Sequence, residues 1–329
     1  VTSFSMVSLV RRLTGVRLAR TALGQADASG RRRPVRVAGS EFVLEAGDGT
    51  QGFSNPSSAV DGNGFITAAY CKMTASASIV RTAVSNAAFD LMNMTAADSV
   101  ALPVTSSASN VVLRFGTGTT YWLMAVEQDG VVRLYRSAGS LSPTQHSVTW
   151  SASNTFFLAA ATDQLDAAWN PAPMGGTYGK LGIAYSDAGA IKFRSWEPAT
   201  NTLGAAVALA SGSQAPAVAR YFGDWIVGWM EAYSGDARKL KTAYMSAPST
   251  VYDLDTDPGA DGWGSLRFGG ECSDFQALVM AWSDTLDPGV DGYTVYLASV
   301  AVAIFANATD NALATDQVSL SMLVADAAI

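Results

Sequence analysis

The stretch YWLMAVEQDGVVRLYRS, residues 121–137, constrains the fold more than any other part of the chain. Two apolar runs flank Asp129-Gly130. An Asp-Gly pair in that setting predicts a β-hairpin, because a two-residue type I′ turn needs positive φ at both positions. Related strand pairs recur along the chain, each with a small residue in its first strand: Ala68, Ala125, Ala184, Gly228 and Ala281. A second column follows in the next strand, at Arg81, Arg133, Lys192, Lys241 and Thr294.

These copies predict an all-β fold of five four-stranded antiparallel repeats of about 53 residues. The first strand of each copy is apolar on both faces, so a neighbouring sheet is expected on each side. A propeller supplies such neighbours, and a small residue at one inner position fits the crowding near its axis. Stacked sandwich sheets or a solenoid are the alternatives. The Gly-, Ser- and Asn-rich stretch at 47–58 reads as a loop.

Residues 1–36 are predicted to form a basic docking arm ahead of a β-repeat domain at 37–329. The arm holds eight arginines against one acid, Asp27, and is therefore +7; since the whole chain is −7, the remainder is −14. Residues 5–24 have the pattern of a basic amphipathic helix, which would dock on a partner, on an anionic surface or on the protein's own body. The docking residues are Arg11, Arg12, Arg17, Arg20, Arg31, Arg32 and Arg33.

Catalytic chemistry based on histidine is disfavoured, because His146 is the only histidine in the chain. Carboxylates are the remaining candidates, at or beside the end of the first strand in four copies: Glu127, Asp187, Glu231 and Asp284. Two of them brought together at a propeller axis would suit a glycosidase. The simpler interpretation is that these acids begin hairpin turns.

A calcium loop is a weaker prediction for the segment DLDTDPGADGWG. Its acids have the spacing of calcium ligands: Asp253, Asp255, Asp257 and Asp261. Pro258 and Gly264 stand where a calcium-binding EF-hand loop needs Gly and Glu. No cofactor is predicted apart from this calcium ion. The two cysteines, Cys71 and Cys272, are expected to be buried thiols or, alternatively, a cross-link between the first and last copies.

The basic column offers a possible set of sugar or carboxylate contacts between repeats. Arg81, Arg133, Lys192 and Lys241 would donate hydrogen bonds, and Tyr135 and Trp196 would stack on sugar rings. The alternative is that these bases face solvent or pair with the acids of neighbouring repeats.

The segments WLMAVEQDGVVRLYRS and LGIAYSDAGAIKFRS resemble the blades of sialidase-like and fucose-lectin-like β-propellers, a resemblance that extends over residues 61–329. It implies a propeller fold, and the lectins imply a sugar contact for Arg81 and Arg133. The Asp-box pattern of sialidases is absent, so sialidase activity is not implied. A basic arm ahead of a low-charge β body also resembles phage tail and other virion proteins.

These observations lead to three functional hypotheses. The first is a non-enzymatic structural or host-adhesion component of a virion, located in the virion or otherwise secreted. Its partners would be other assembly subunits, copies of itself and a cell-surface glycan. The second is a carbohydrate-binding propeller, and the third is a carboxylate-dependent glycoside hydrolase. The acidic body disfavours sequence-specific nucleic-acid binding, and no apolar run is long enough for a transmembrane span.

Overall fold

A computed structural model describes residues 52–73, 78–87, 94–100, 108–116, 121–138, 148–162, 164–173, 176–221, 223–232, 238–257, 266–268, 278–285 and 293–300. The predicted docking arm lies outside these residues. So do Asp261, Cys272 and His146. Within the described residues every regular element is a β-strand, which confirms the all-β prediction. No helix in this part of the chain has the length and apolarity to cross a membrane.

Five antiparallel sheets follow one another along the chain. Sheet 1 holds β1 (Gly52–Val60), β2 (Ile66–Met73), β3 (Ser78–Ser85) and β4 (Met94–Val100). Sheet 2 holds β5 (Ala108–Gly116), β6 (Tyr121–Gln128), β7 (Val131–Ala138) and β8 (Ser151–Phe157). Sheet 3 holds β9 (Leu165–Asn170), β10 (Lys180–Asp187), β11 (Ala190–Glu197), β12 (Thr202–Leu203) and β13 (Val207–Ser211).

Sheet 4 holds β14 (Ser213–Tyr221), β15 (Asp224–Ala232), β16 (Arg238–Tyr244) and β17 (Val251–Asp257). Sheet 5 holds β18 (Leu266–Phe268), β19 (Leu278–Thr285) and β20 (Tyr293–Val300). Four-stranded antiparallel sheets are therefore the common unit. Since sheet 3 has five strands and the described part of sheet 5 has three, the predicted count of five equal repeats is not established.

The first strand of each sheet packs against the first strand of the next, in the succession β1, β5, β9, β14 and β18. This succession gives a propeller-like array in which these five strands are innermost. The sequence interpretation placed the small-residue strands β2, β6, β10, β15 and β19 there, and they are second from the inside. In the sequence prediction β5, β14 and β18 stand at the end of the preceding repeat, whereas β1 and β9 fall in stretches that are predicted as loops. The predicted repeats are therefore one strand out of phase.

The hydrophobic core consists of separate layers between successive sheets. One layer joins sheets 1 and 2 around Trp122 and Met124, and a second joins sheets 2 and 3 around Leu134 and Trp196. A third layer joins sheets 3 and 4 around Trp229. Sheets 2 and 3 are thus covered on both faces, which explains why their strands are apolar throughout.

The hairpin turns have the predicted geometry. Asp129 and Gly130 have φ of 50° and 80°, and Ala188 and Gly189 have φ of 51° and 78°. Both turns are therefore left-handed at both central residues, as type I′ turns require.

Sheets 1 and 4 have a β-bulge at the same place in their first strand, and this bulge sets the register of the first strand with the second. In β1 it lies between Ser54 and Ser57, and in β14 it lies between Gln214 and Ala217. Asn55 (φ 50°) and Ala215 (φ 54°) are left-handed inside it. The loop prediction for 47–58 is therefore wrong from Gly52 onward, because this part of the stretch forms a bulged strand.

The bulge pairs Ser57 with Ala69 and Ala217 with Gly228, so Ala69, and not Ala68, is the small residue of sheet 1. In sheet 5 Thr294 lies opposite Asp284. The position that matches the bases of the other sheets is Tyr296, opposite Trp282.

Candidate functional site

Sheets 2, 3 and 4 each carry a cross-strand polar pair at the same place. The base on the third strand lies opposite the residue that follows the small residue, so Arg133 faces Val126, Lys192 faces Tyr185 and Lys241 faces Trp229. Its partner is the side chain three residues after the small residue. We call these the rim pairs: Gln128–Arg133, Asp187–Lys192 and Glu231–Lys241.

The rim pairs lie at the hairpin end of the sheets and on the face toward the preceding sheet. Their position follows from the residues beside them. Val126 belongs to the layer between sheets 1 and 2, Tyr185 to the layer between sheets 2 and 3, and Trp229 to the layer between sheets 3 and 4. Because a strand alternates its faces, each rim pair stands where one of these layers reaches the end of the sheets. The result is three equivalent polar positions at the ends of the layers between successive sheets, and we call these positions clefts.

The rim pair of sheet 3 is the most tightly held. Lys192 Nζ lies 2.7 Å from Asp187 Oδ2, and the backbone N–H of Ala159 in the preceding sheet's connection donates to Asp187 Oδ1 at 2.6 Å. Burial disfavours the ionised carboxylate, but the hydrogen bonds from Lys192 and Ala159 outweigh it and lower the pKa of Asp187. The Lys192 side chain keeps 30% of its surface exposed, so it remains in contact with solvent.

The rim pair of sheet 4 belongs to a small charge network. Lys241 Nζ lies 2.5 Å from Glu231 Oε2 and 3.6 Å from Asp253 Oδ1, and Lys239 Nζ lies 3.4 Å from Asp253 Oδ2. The hydrogen bond to Glu231 is the main cause that raises the pKa of Lys241. All four side chains remain partly exposed, so solvent screens their mutual attraction.

The rim pair of sheet 2 differs in charge. Arg133 donates from Nε to Gln128 Oε1 at 3.1 Å. Gln128 is only 1% exposed, so a buried amide fixes the orientation of a half-buried guanidinium. Gln128 is a site residue that the sequence reasoning missed, because attention fell on the neighbouring acid Glu127. Its signal was positional, since Gln128, Asp187 and Glu231 all lie three residues after the small residue.

A second polar cluster crosses the innermost strands. Arg114 of β5 donates from Nη2 to Asp166 Oδ1 of β9 at 3.0 Å, and from Nη1 to Leu113 O at 2.8 Å. Asp166 Oδ2 accepts from the backbone N–H of Val218 in β14 at 3.1 Å. Ser57 of β1 completes the cluster, because its Oγ accepts from the backbone N–H of Leu113 at 3.0 Å. Four successive innermost strands are joined in this way.

Ser57 and Asp166 perform the same task in this cluster. Both lie opposite the small residue of their sheet, and each accepts a hydrogen bond from the free edge of the next sheet's innermost strand. An innermost strand has backbone groups on one edge that no strand pairs, and a buried donor left there would be costly. We call this group of side chains on the innermost strands the axial cluster. Its role is therefore structural. Sequence reasoning missed it because Ser57 and Asp166 fall in stretches that the sequence predicts as loops.

The candidate catalytic acid Glu127 is fully buried. Its Oε1 accepts from the backbone N–H of Gly130 at 2.8 Å and of Thr162 at 3.4 Å. It therefore stabilises the hairpin turn and the connection that follows β8, as the simpler interpretation of these acids predicts. The side chain of Asp284 is not among those that the structure describes.

The predicted stacking aromatics are inside the core. Trp196 is fully buried and donates from Nε1 to Asn201 Oδ1 at 3.2 Å, and Tyr135 is 6% exposed between sheets 1 and 2. Burial raises the pKa of Tyr135. Neither ring has a face exposed to a sugar, because both pack in the hydrophobic layers between sheets. Arg81 is half-buried opposite Tyr70, at the position of the other bases.

The predicted calcium ligands lie on a strand. Asp253, Asp255 and Asp257 belong to β17 and pair in register with β16, so this part of the segment does not coil around an ion. Asp253 pairs with Lys239 and Lys241. Among the described residues no group of three potential metal ligands comes together. Cys71 is a buried free thiol, and burial is the main cause that raises its pKa to about 12.

No protein-family model matches the chain, and no curated protein matches it in sequence. Solved structures resemble it at low identity. The exo-β-1,3-galactanase of Clostridium thermocellum is 12% identical, with a TM-score of 0.46 over 85% of this chain and 62% of that one. The sialidase of Trypanosoma rangeli is 13% identical, with a TM-score of 0.47 over 85% and 49%. The α-L-arabinofuranosidase of Lactobacillus brevis is 12% identical, with a TM-score of 0.43 over 74% and 89%.

These comparisons correct the first functional hypothesis. The three solved structures named above are two glycoside hydrolases and a sialidase, and none of the three is a virion protein. The prediction of a virion or phage-tail component is therefore wrong. The features behind it, a basic arm and a low-charge β body, describe composition and carry no information about assembly. The sialidase-like part of the predicted resemblance agrees with the arrangement of the sheets.

Proposed function

We propose that this protein binds carbohydrate in the clefts between successive sheets, through the rim pairs. The observation that carries the proposal is the repetition of one donor–acceptor pair at three equivalent clefts. Neighbouring hydroxyl groups of a sugar each donate and accept hydrogen bonds. A cationic donor that an oxygen acceptor of the protein holds at 2.5–3.1 Å keeps further N–H groups to donate to the oxygens of these hydroxyls.

The state of the acids favours binding over hydrolysis. A glycosidase needs two carboxylates that flank the scissile bond, one of them able to exchange a proton. Glu127 is occupied by backbone donors, Asp187 by Lys192 and Ala159, and Glu231 by Lys241. These carboxylates are arranged to accept hydrogen bonds from the protein, and the partly exposed lysines beside them are arranged to donate to a ligand.

A glycan array, followed by calorimetric titration of each glycan that binds, tests the proposal. We expect saturable binding by the native chain and a loss of affinity of about tenfold or more in Lys192→Met combined with Lys241→Met, because each lost ligand bond involves a charged donor. Lys180→Met is the matched control. Lys180 pairs with Glu197 at the opposite end of sheet 3 and keeps 29% of its side chain exposed, against 30% for Lys192.

Two results would contradict the proposal. One is the absence of binding to any glycan on the array by the folded native chain. The other is a double variant that binds as tightly as the Lys180→Met control.

Carboxylate-dependent glycoside hydrolysis is the second candidate function. The observation that favours it is the position of Asp166, an acid on an innermost strand beside the partly exposed Arg114, although both of its oxygens accept hydrogen bonds from the protein. Release of reducing ends from the glycans that bind, abolished by Asp166→Asn in a protein that still folds and binds, would support it. Binding without release would leave recognition as the function.

A further inference from the structure

The three rim pairs have the same geometry but unequal charge. In sheets 3 and 4 a carboxylate neutralises the base, at 2.7 Å for Lys192 and 2.5 Å for Lys241. In sheet 2 the partner of Arg133 is the neutral amide of Gln128. The cleft between sheets 1 and 2 therefore carries the positive charge of Arg133, and Gln128, its partner in the rim pair, does not neutralise that charge.

The surroundings of Arg133 do not supply the missing carboxylate either. Among the residues that the structure describes, no acid lies within ion-pair distance of Arg133, and Nε is the guanidinium nitrogen that donates a hydrogen bond. The nearby acid Glu127 is turned away, because its carboxylate accepts from the backbone of Gly130 and Thr162. Asp129 is exposed at the tip of the hairpin.

Gln128 turns this charge into a directed donor. Its side chain is buried, and its Oε1 accepts from Nε on one edge of the guanidinium. The planar group is thereby fixed, while Nη1 and Nη2 remain for a ligand. A guanidinium presented in this way matches the two oxygens of a carboxylate, which it binds with two parallel hydrogen bonds.

We infer that the cleft between sheets 1 and 2 recognises the carboxylate of an acidic sugar, of the uronic acid class, through Arg133. This inference rests on the proposed carbohydrate binding and specifies its ligand. The bases in the clefts of sheets 3 and 4 are already neutralised by carboxylates. These clefts bind the neutral hydroxyl groups of the same glycan. The net charge of −7 also makes general attraction of polyanions a poor explanation for preferential binding of an acidic glycan.

The probes are trisaccharides of galacturonate, glucuronate and mannuronate, each paired with its own methyl ester. Esterification removes the charge and leaves the ring and hydroxyl groups in place. For the native chain we expect one acidic trisaccharide to bind about tenfold to a hundredfold more tightly than its ester, the range for a charge-assisted contact. A sulfated neutral trisaccharide is the anion control and should bind no better than an ester.

The sharpest variant is Gln128→Glu, which recreates in sheet 2 the acid–base pair of sheets 3 and 4. It should abolish the preference for acid over ester while binding of the ester persists. Arg133→Gln should do the same and serves if a buried glutamate prevents folding. Lys192→Gln, within the proposed site, should weaken acid and ester alike and keep their ratio. Lys180→Gln, outside it, should change neither affinity.

The failure of this inference is distinguishable from the failure of carbohydrate binding itself. Equal affinity for acids and esters in the native chain, or a preference that survives both Gln128→Glu and Arg133→Gln, overturns the role of Arg133 and leaves sugar binding intact. Equal binding of the sulfated probe overturns carboxylate recognition in particular. No binding to any probe, together with an empty glycan array, overturns both.

Discussion

The Arg114–Asp166 pair and the Glu231–Lys241 pair each join a base to a carboxylate, but they differ in burial and in the number of sheets that they connect. Asp166 is 4% exposed and joins three sheets, since its two oxygens accept from Arg114 of sheet 2 and from the backbone of sheet 4. Glu231 and Lys241 lie within one sheet, with side chains 31% and 20% exposed. In the first pair the carboxylate is enclosed by protein, whereas in the second the carboxylate is open to solvent.

This difference separates polar groups that the propeller-like array uses for its own stability from polar groups that we propose are available to a ligand. An inner edge without a partner strand needs internal acceptors, and a buried charge there must be fully paired. A pair at the end of a hairpin is screened by water and contributes little to folding. The rim pairs can therefore serve recognition at small cost to the fold, and their removal should be tolerated.

The largest expected effect is that of Asp166→Leu on stability. The change removes the acceptor of Arg114 Nη2 and of the Val218 N–H, while Arg114 Nη1 keeps its hydrogen bonds to Leu113 O and Ser57 Oγ. We expect a loss of about 2–4 kcal/mol in the free energy of unfolding, below the upper range for buried pairs because Arg114 keeps some contact with water. Urea denaturation followed by tryptophan fluorescence measures it.

The double variant Arg114→Met with Asp166→Leu is the control for that experiment. It removes the uncompensated charge, so it should recover a substantial part of the stability that Asp166→Leu loses. A single variant as stable as the native chain would contradict the structural role of the axial cluster and would put Asp166 back among the groups available to a ligand.

An intermediate effect is expected at Asp187, which combines features of both regions. Its carboxylate is buried like that of Asp166 but belongs to a rim pair. The folded protein lowers the pKa of Asp187, through the hydrogen bonds from Lys192 and Ala159 and against the effect of burial. Its stabilising contribution is therefore fully present above the pKa of the unfolded chain and is lost as pH falls through the folded value.

Asp187→Asn should consequently cost roughly 1–2 kcal/mol at pH 7, the range for hydrogen bonds to a charged group. The difference in unfolding free energy between native chain and variant should shrink as the pH falls below about 4. Denaturation curves collected from pH 7 downward measure it, and a difference that stays constant over that range would show that ionisation of Asp187 does not stabilise the fold.

The sequence made much of this architecture predictable, for a physical reason. A hairpin depends on residues that are adjacent in sequence, so Asp129-Gly130 predicts its own turn. The apolar strands beside it predict that both faces of the sheet are covered. Whether a strand is the last of one sheet or the first of the next depends on packing between sheets. The segment NVVLRFG, within β5, gives no local sign that its free edge meets β1 and β9.

The candidate site was predictable only in part. Arg133, Lys192 and Lys241 stand out as a column of bases, and the structure places all three in equivalent clefts. Gln128 escaped notice because it is uncharged, although its position matches Asp187 and Glu231. Trp196 was misjudged because nothing in its neighbours distinguishes a ring that fills a layer between sheets from a ring that faces a ligand.

The smallest expected effect is that of Lys241→Met on stability. It tests the expectation that the rim pairs contribute little to folding. The Glu231 hydrogen bond raises the pKa of Lys241, so the contribution of this base is present below the pKa of the unfolded chain and is lost as pH rises through the folded value. At pH 7 the pair is partly exposed and screened, so we expect a loss of less than about 1 kcal/mol. Urea denaturation at low and at high salt measures it. A loss as large as that of Asp166→Leu, insensitive to salt, would mean that the rim pairs hold the sheets together and would remove the physical basis for assigning them to recognition.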